Sequence, residues 1–162
     1  MKQDRFLMGI LIGIGALVII ALALFVTRKD SAMTYVADDS PEGVVHNYVV
    51  AVFERDYEKA YSYLADKKEK PTLEQFRASF LQNMINPDNS GVEIGEAELN
   101  GEQAFVTMYI QYGPSDPFSS GYRNEERAVL VNQGGTWKIE QMPFNFWSWE
   151  WYQPTPQPVP AP

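Results

Sequence analysis

The sequence predicts an α+β protein with an N-terminal transmembrane helix. Three observations carry that reading. A run of 21 uncharged apolar residues opens the chain, residues 40 to 85 repeat their apolar positions at helical spacing, and from Gly91 the period falls to two. Helices first and an antiparallel meander after them make an α+β domain with the helices on one face of the sheet.

The opening run, Phe6 to Val26, is long enough as a helix to span roughly 31 Å, the thickness of a bilayer core. Gly9 and Gly13 form a Gly-x-x-x-Gly that suits close helix packing. Lys2 and Arg5 before the run, and Ala21-Leu22-Ala23 within it, also fit a signal peptide cleaved near Ala23. The apolar run continues through Leu24-Phe25-Val26, which favours an uncleaved anchor. The expected organisation is a cytoplasmic tail over 1–5, a transmembrane helix over 6–27 and a polar linker over 28–39. A folded domain over 40–152 and a Pro-rich disordered tail over 153–162 follow. The expected location is the cell membrane, single-pass, with the N-terminus inside and the domain outside; the alternative is a secreted protein.

Ser40-Pro41-Glu42 opens the first helix of the domain, with Ser as N-cap, Pro in the first turn and an acid near the positive end of the dipole. Val45, Tyr48, Val49 and Val52 give it one apolar stripe. Asp56 caps a second, short helix in which Tyr57, Ala60, Tyr61 and Leu64 share a face. Lys67-Lys68-Glu69-Lys70 reads as a solvated loop. Thr72-x-x-Gln75 is a capping box for a third helix, whose buried face is Leu73, Phe76, Phe80, Leu81 and Met84. Asn86-Pro87 ends it, because a residue before Pro avoids the α region.

Val92 to Leu99 reads as a strand, and Asn100-Gly101 as a hairpin turn. Ala104, Val106, Met108, Ile110 and Tyr112 line one face of the partner strand, with Phe105, Thr107, Tyr109 and Gln111 opposite. A loop over 113–121 follows. Tyr122 to Val131 and Thr136 to Met142 are two further strands, joined at Asn132-Gln133-Gly134-Gly135.

Composition excludes several functions. With 13 Lys+Arg against 21 Asp+Glu the net charge is −8, and residues 30–162 hold 9 basic and 20 acidic residues, −11. Such a surface repels phosphate, so nucleic acid is not expected as a partner. With no Cys and one His there is no disulfide framework, thiolate zinc site, Cys nucleophile or His-rich metal centre.

Ser40-Pro41-Glu42-Gly43-Val44-Val45, Tyr48 and Asp56-Tyr57-Glu58-Lys59-Ala60-Tyr61-Ser62-Tyr63-Leu64 resemble the opening of the NTF2-like (cystatin-like α+β cone) superfamily. Gly134-Gly135-Thr136-Trp137-Lys138-Ile139 is similar to its last hairpin. The likeness covers about residues 40 to 145. It implies three helices packed on a curved antiparallel sheet, a cone whose open end holds a ligand in some members, and no single function. With the anchor, the chain is similar in architecture to membrane-anchored, extracytoplasmic assembly components of type IV secretion systems. Where that family has Gly two residues after an Asn-Pro turn, this chain has Asn89.

Enzymes of the superfamily place a His or acids inside the cone. Here His46 falls at the edge of the helical stripe, and Glu93, Glu96, Glu98, Glu102, Glu125 and Glu126 read as solvated charges at strand ends and turns. No metal, phosphate-loop or nucleophile motif is present, so no catalytic residue and no cofactor is assigned. If the cone takes a small hydrophobic ligand, its lining is Tyr48, Phe80, Met84, Met108 and Trp137. In Phe144 to Tyr152, Trp147, Trp149 and Trp151 alternate with Ser148 and Glu150, so an extended chain puts all three indoles on one side. Such a face covers the domain core, rests at a membrane interface or binds a protein. The functional expectation is a membrane-anchored, non-catalytic binding or assembly module with a partner in a membrane complex. A carrier of a small hydrophobic molecule is the alternative, and an isomerase- or dehydratase-type enzyme the third reading.

Overall fold

A computed structural model describes residues 5–27, 33–88, 90–113 and 121–153, with side chains in the first helix described over 8–23. The chain divides into two compact units, Met1–Met33 and Thr34–Pro162.

The first unit holds helix α1, Arg5–Thr27. Among the described residues no helix is long and apolar enough to cross a membrane. This corrects the transmembrane span expected over 6–27, and with it the single-pass location. Residues 1–4 of the tail expected over 1–5, residues 28–32 of the linker, most of the 113–121 loop and the Pro-rich tail from 154 lie outside the described residues.

The second unit is α+β. Helices α2 (Pro41–Phe53), α3 (Tyr57–Ser62) and α4 (Leu73–Leu81) precede strands β1 (Ser90–Asn100), β2 (Gln103–Tyr112), β3 (Tyr122–Gln133) and β4 (Thr136–Gln141). The strands form one antiparallel sheet in the order β1-β2-β3-β4.

The helix starts follow their capping residues. Ser40 Oγ accepts from the Gly43 amide, Asp56 Oδ1 from Lys59, and Thr72 and Gln75 complete a reciprocal capping box. Helix α2 ends in a Schellman motif: the Arg55 and Asp56 amides donate to Val52 and Ala51, with Arg55 left-handed at φ 60°. Helix α4 ends at Leu81 rather than near Asn86. Asn83, at φ 55°, turns its amide back to Phe80 O, which leaves Leu81 and Met84 exposed instead of on a buried face.

Segment 34–36, expected in the linker, lies on α2. The Asn47 side chain accepts from the Val36 amide and donates to its carbonyl, both at 2.8 Å, and His46 Nε2 is 2.8 Å from Thr34 O. A Cβ at position 43 would collide with the Ala37 carbonyl, which explains the Gly there.

The hairpins also follow local chemistry. Gly101 begins the β1–β2 turn at φ 61°, and Gly134-Gly135, at 65° and 87°, form the two-residue β3–β4 turn. A bulge between Ile94 and Ala97 releases the Ala97 amide, which donates to Glu42 at 2.9 Å and ties β1 to the start of α2.

The core lies between α2 and the inner face of the sheet. Val44, Val45, Tyr48 and Val49 pack there with Ala104, Val106, Met108, Ile110, Ala128, Leu130 and Ile139. Beyond β4 the chain makes a short 3₁₀ turn, Phe144–Phe146, and then an arm that returns over the helices. Trp151 stacks on Phe76 at 4.8 Å between ring centres and meets Phe80 at 6.1 Å. Tyr152 OH donates to Ala65 O at 2.6 Å, and its amide to Glu69 O. The Lys67–Lys70 loop is therefore anchored: Lys70 Nζ reaches Asp66 and Leu64 O, and Lys67 pairs with Glu140.

Candidate functional site

The arm is not extended, so the three indoles separate. The 3₁₀ turn and the turn over 149–152 break the two-residue alternation: Trp147 and Trp151 are buried at 8% and 5% exposure, while Trp149 is 79% exposed. The two buried rings meet edge to face at 4.9 Å and close the core. Trp149 is left on the surface.

The five residues read as a cone lining are not gathered round one cavity. Tyr48 and Met108 are fully buried, and Tyr48 OH donates to Phe146 O at 2.7 Å. Trp137 is half-buried on β4. Phe80 borders a cleft of about 120 Å³ with Val52, Arg55, Tyr57 and Ile85. Met84 borders a different one of about 320 Å³, with Trp151, Glu69, Lys70 and Glu150. Ligand sites run from about 300 to 1,000 Å³, so the first is too small and the second marginal.

A different surface emerges at the end of the sheet where β1 begins and β2 ends. Ser90 pairs with Tyr112, and Tyr112 with Tyr122. The two Tyr rings stack at 4.7 Å, and Tyr122 is 59% exposed. Tyr112 OH donates to Asn145 Oδ1 at 2.9 Å, and Asn145 Nδ2 donates to Ser90 Oγ at 2.7 Å. This bridge holds the 3₁₀ turn beneath the strand ends and satisfies the buried Asn145 amide. The neighbouring Phe146 meets Phe53 edge to face at 5.8 Å. Phe53 is 37% exposed and Phe144 68%. Trp149 follows Phe146 by three residues, roughly 10 Å of chain at most. Phe53, Tyr122, Phe144 and Trp149 are thus large exposed aromatic side chains carried by segments that border the bridge or follow it in the chain.

Glu126 completes this surface. Cross-strand partners share a face, and Glu126 lies opposite Met108, between Asn124 and Ala128 on the inner face. It is half-buried, and burial pushes its carboxyl above the ordinary value. No hydrogen bond or ion pair reaches it among the described residues. The basic residues of β3 are on the other face, opposite Gln111 and Thr107: Arg123 pairs with Glu93 at 2.9 Å and lies 4.0 Å over the Tyr109 ring. Tyr112 is raised by its own burial and then by the Glu126 charge.

The sequence reading grouped Glu126 with the solvated charges at strand ends and turns. Alternation separates it from its neighbour: Glu125 pairs with Tyr109 and Glu126 with Met108. Pairing Met108 with position 126, rather than reading the strand as a charge run, is the signal that would have found it. Among the described residues no group of three or more His, Asp and Glu could hold a metal ion.

No family model and no curated protein matches the chain. Among solved structures, it is similar to a SEC-C motif containing protein from Rhodopseudomonas palustris, with 13% identity over 65% of this chain and 79% of that one, at a TM-score of 0.47. It is also similar to an uncharacterized cystatin fold protein from Novosphingobium aromaticivorans, with 16% identity over 63% of this chain and 98% of that one, at a TM-score of 0.41. At those scores neither likeness carries an argument. The α+β architecture rests on the helix order and sheet register.

Proposed function

We propose that this protein is a non-catalytic binding module of NTF2-like type that holds a protein partner at the Tyr112–Tyr122 end of its sheet. The observation that carries this reading is the exposure of the large aromatic side chains Phe53, Tyr122, Phe144 and Trp149 on a domain whose inner sheet face is buried. Large aromatic side chains contribute most of the energy at protein interfaces, and isolated domains rarely leave several exposed together. The Ser90–Asn145–Tyr112 bridge favours the same reading, because it fixes the surface before a partner arrives.

The carrier reading has less support, since Tyr48 and Met108 are packed in the core and Phe80 and Met84 border separate clefts. An enzyme reading is disfavoured by the position of His46, which is held at the Thr34 carbonyl outside the inner face of the sheet.

The test is affinity capture with the full chain, comparing wild type with a Phe144→Ser, Trp149→Ser double variant and a Leu99→Ser control. Leu99 is exposed on β1, and its cross-strand partner is Ala104, at the far end of the strand from Ser90. A partner retained by wild type and control but lost by the double variant supports the proposal. Identical retention by all three refutes it.

A further inference from the structure

We infer that the partner presents a basic side chain, arginine before lysine, to Glu126 and the Tyr112–Tyr122 ring pair. This rests on the binding reading above and names the chemistry of its partner.

A half-buried carboxylate among Met108, Ala128 and Asn124 has lost part of its hydration and gained nothing in return. Within the domain, the nearest basic residues in sequence lie on the other face of the strand. Arg123 and Arg127 point to the opposite face of β3, and Arg123 is bound to Glu93. A cation arriving from outside would recover the lost solvation of Glu126 through a charge-assisted hydrogen bond.

The ring pair on the same face of the sheet narrows the choice of cation. Tyr122 lies on the same face of β3 as Glu126, four residues before it, and stacks on Tyr112. A guanidinium can donate to a carboxylate while its plane lies along an aromatic face, which an ammonium does less well. On the other face Arg123 combines the two contacts, joining Glu93 and the Tyr109 ring, which are direct cross-strand partners.

A metal ion is a poor occupant, because one carboxylate supplies too few oxygen ligands. A free amine would use Glu126 but leave Phe53, Phe144 and Trp149 uncovered. A basic residue within an apolar protein segment uses both. The net charge of −8 would draw such a segment in at long range.

The experiment is calorimetric titration of the full-length protein with a capped heptapeptide carrying arginine between two leucines in a glycine–serine frame. Matched peptides replace that arginine with lysine, with citrulline (its neutral near-isostere) or with glutamate. The expected order is arginine, then lysine, then citrulline, with glutamate weakest. Loss of the charge should cost about tenfold, and the gap should shrink as salt is added. Glu126→Gln should abolish the preference for arginine over citrulline, while Glu125→Gln on the opposite face should keep it. An equal affinity for arginine and citrulline peptides, or a preference that survives Glu126→Gln, overturns the inference. If Phe144→Ser weakens every peptide while Glu126→Gln changes none, the inference fails and the binding reading stands. If neither substitution matters, both fail.

Discussion

Replacing Tyr48 with Phe removes one oxygen atom and tests how the arm is fixed to the core. The Tyr48 hydroxyl donates to the Phe146 carbonyl at 2.7 Å across 98 positions of sequence, and both residues are fully buried. The Phe146 amide is used locally, donating to Pro143 O, so Tyr48 is what satisfies its carbonyl. The Phe ring would keep the edge contact with Phe76 at 6.4 Å and almost all the packing. What remains is a buried carbonyl with no donor, a loss of about 1–3 kcal/mol. For a domain of this size that lowers the melting temperature by roughly 5–10 °C. Urea denaturation followed by tryptophan fluorescence and far-UV circular dichroism measures it. Tyr152→Phe, which removes the hydroxyl from the more exposed Ala65 bond, should cost less, about 0.5–1.5 kcal/mol. A Tyr48→Phe protein as stable as wild type would refute the claim that this bond anchors the arm.

Two further predictions concern the arm and the inner face. Trp151→Ala should cost about 3–5 kcal/mol, because it empties the space against Phe76 and Phe80, whereas Trp149→Ala should change stability by less than about 0.5 kcal/mol; chemical denaturation separates them. Glu126 has a carboxyl raised above its ordinary 4.5 by burial, so the folded state holds that proton more tightly than the unfolded state and Glu126 costs stability at neutral pH. That cost should fade as pH drops through the raised folded value towards 4.5, so the stability gained by Glu126→Gln should be present at pH 7 and shrink on acidification. A gain that is flat with pH would contradict the assignment.

Much of the fold could be read from local chemistry. Ser40-Pro41, Asp56 and Thr72-x-x-Gln75 start helices where they stand because each supplies the oxygen that the first free amides need. Gly101 and Gly134-Gly135 place the turns because their backbones adopt positive φ. The helix end after Leu81 was less legible. Asn83 takes a left-handed conformation before the Asn86-Pro87 signal is reached, and Met84 leaves the buried face with it. The candidate site was the least legible. Alternation of Trp147, Trp149 and Trp151 predicts one shared face only for an extended chain, and Pro143 starts a turn instead. Glu126 needs its register partner, Met108, before its face is known, and strand register depends on the neighbouring strand. The N-terminal run shows the same limit from the other side: an apolar sequence alone set the expected span at 6–27, and the described helix does not support it.

The long stitches made by the arm set an order of events on the ribosome. Strands β1 to β4 pair with sequence neighbours and can zip as they emerge, but Phe76 and Phe80 gain their Trp151 cover only when the last part of the domain is made. Until then the nascent chain carries an uncapped aromatic surface on α4. Folding of this domain is therefore completed from its C-terminal end, and a chain that stalls before Phe146 is the form most exposed to misassembly.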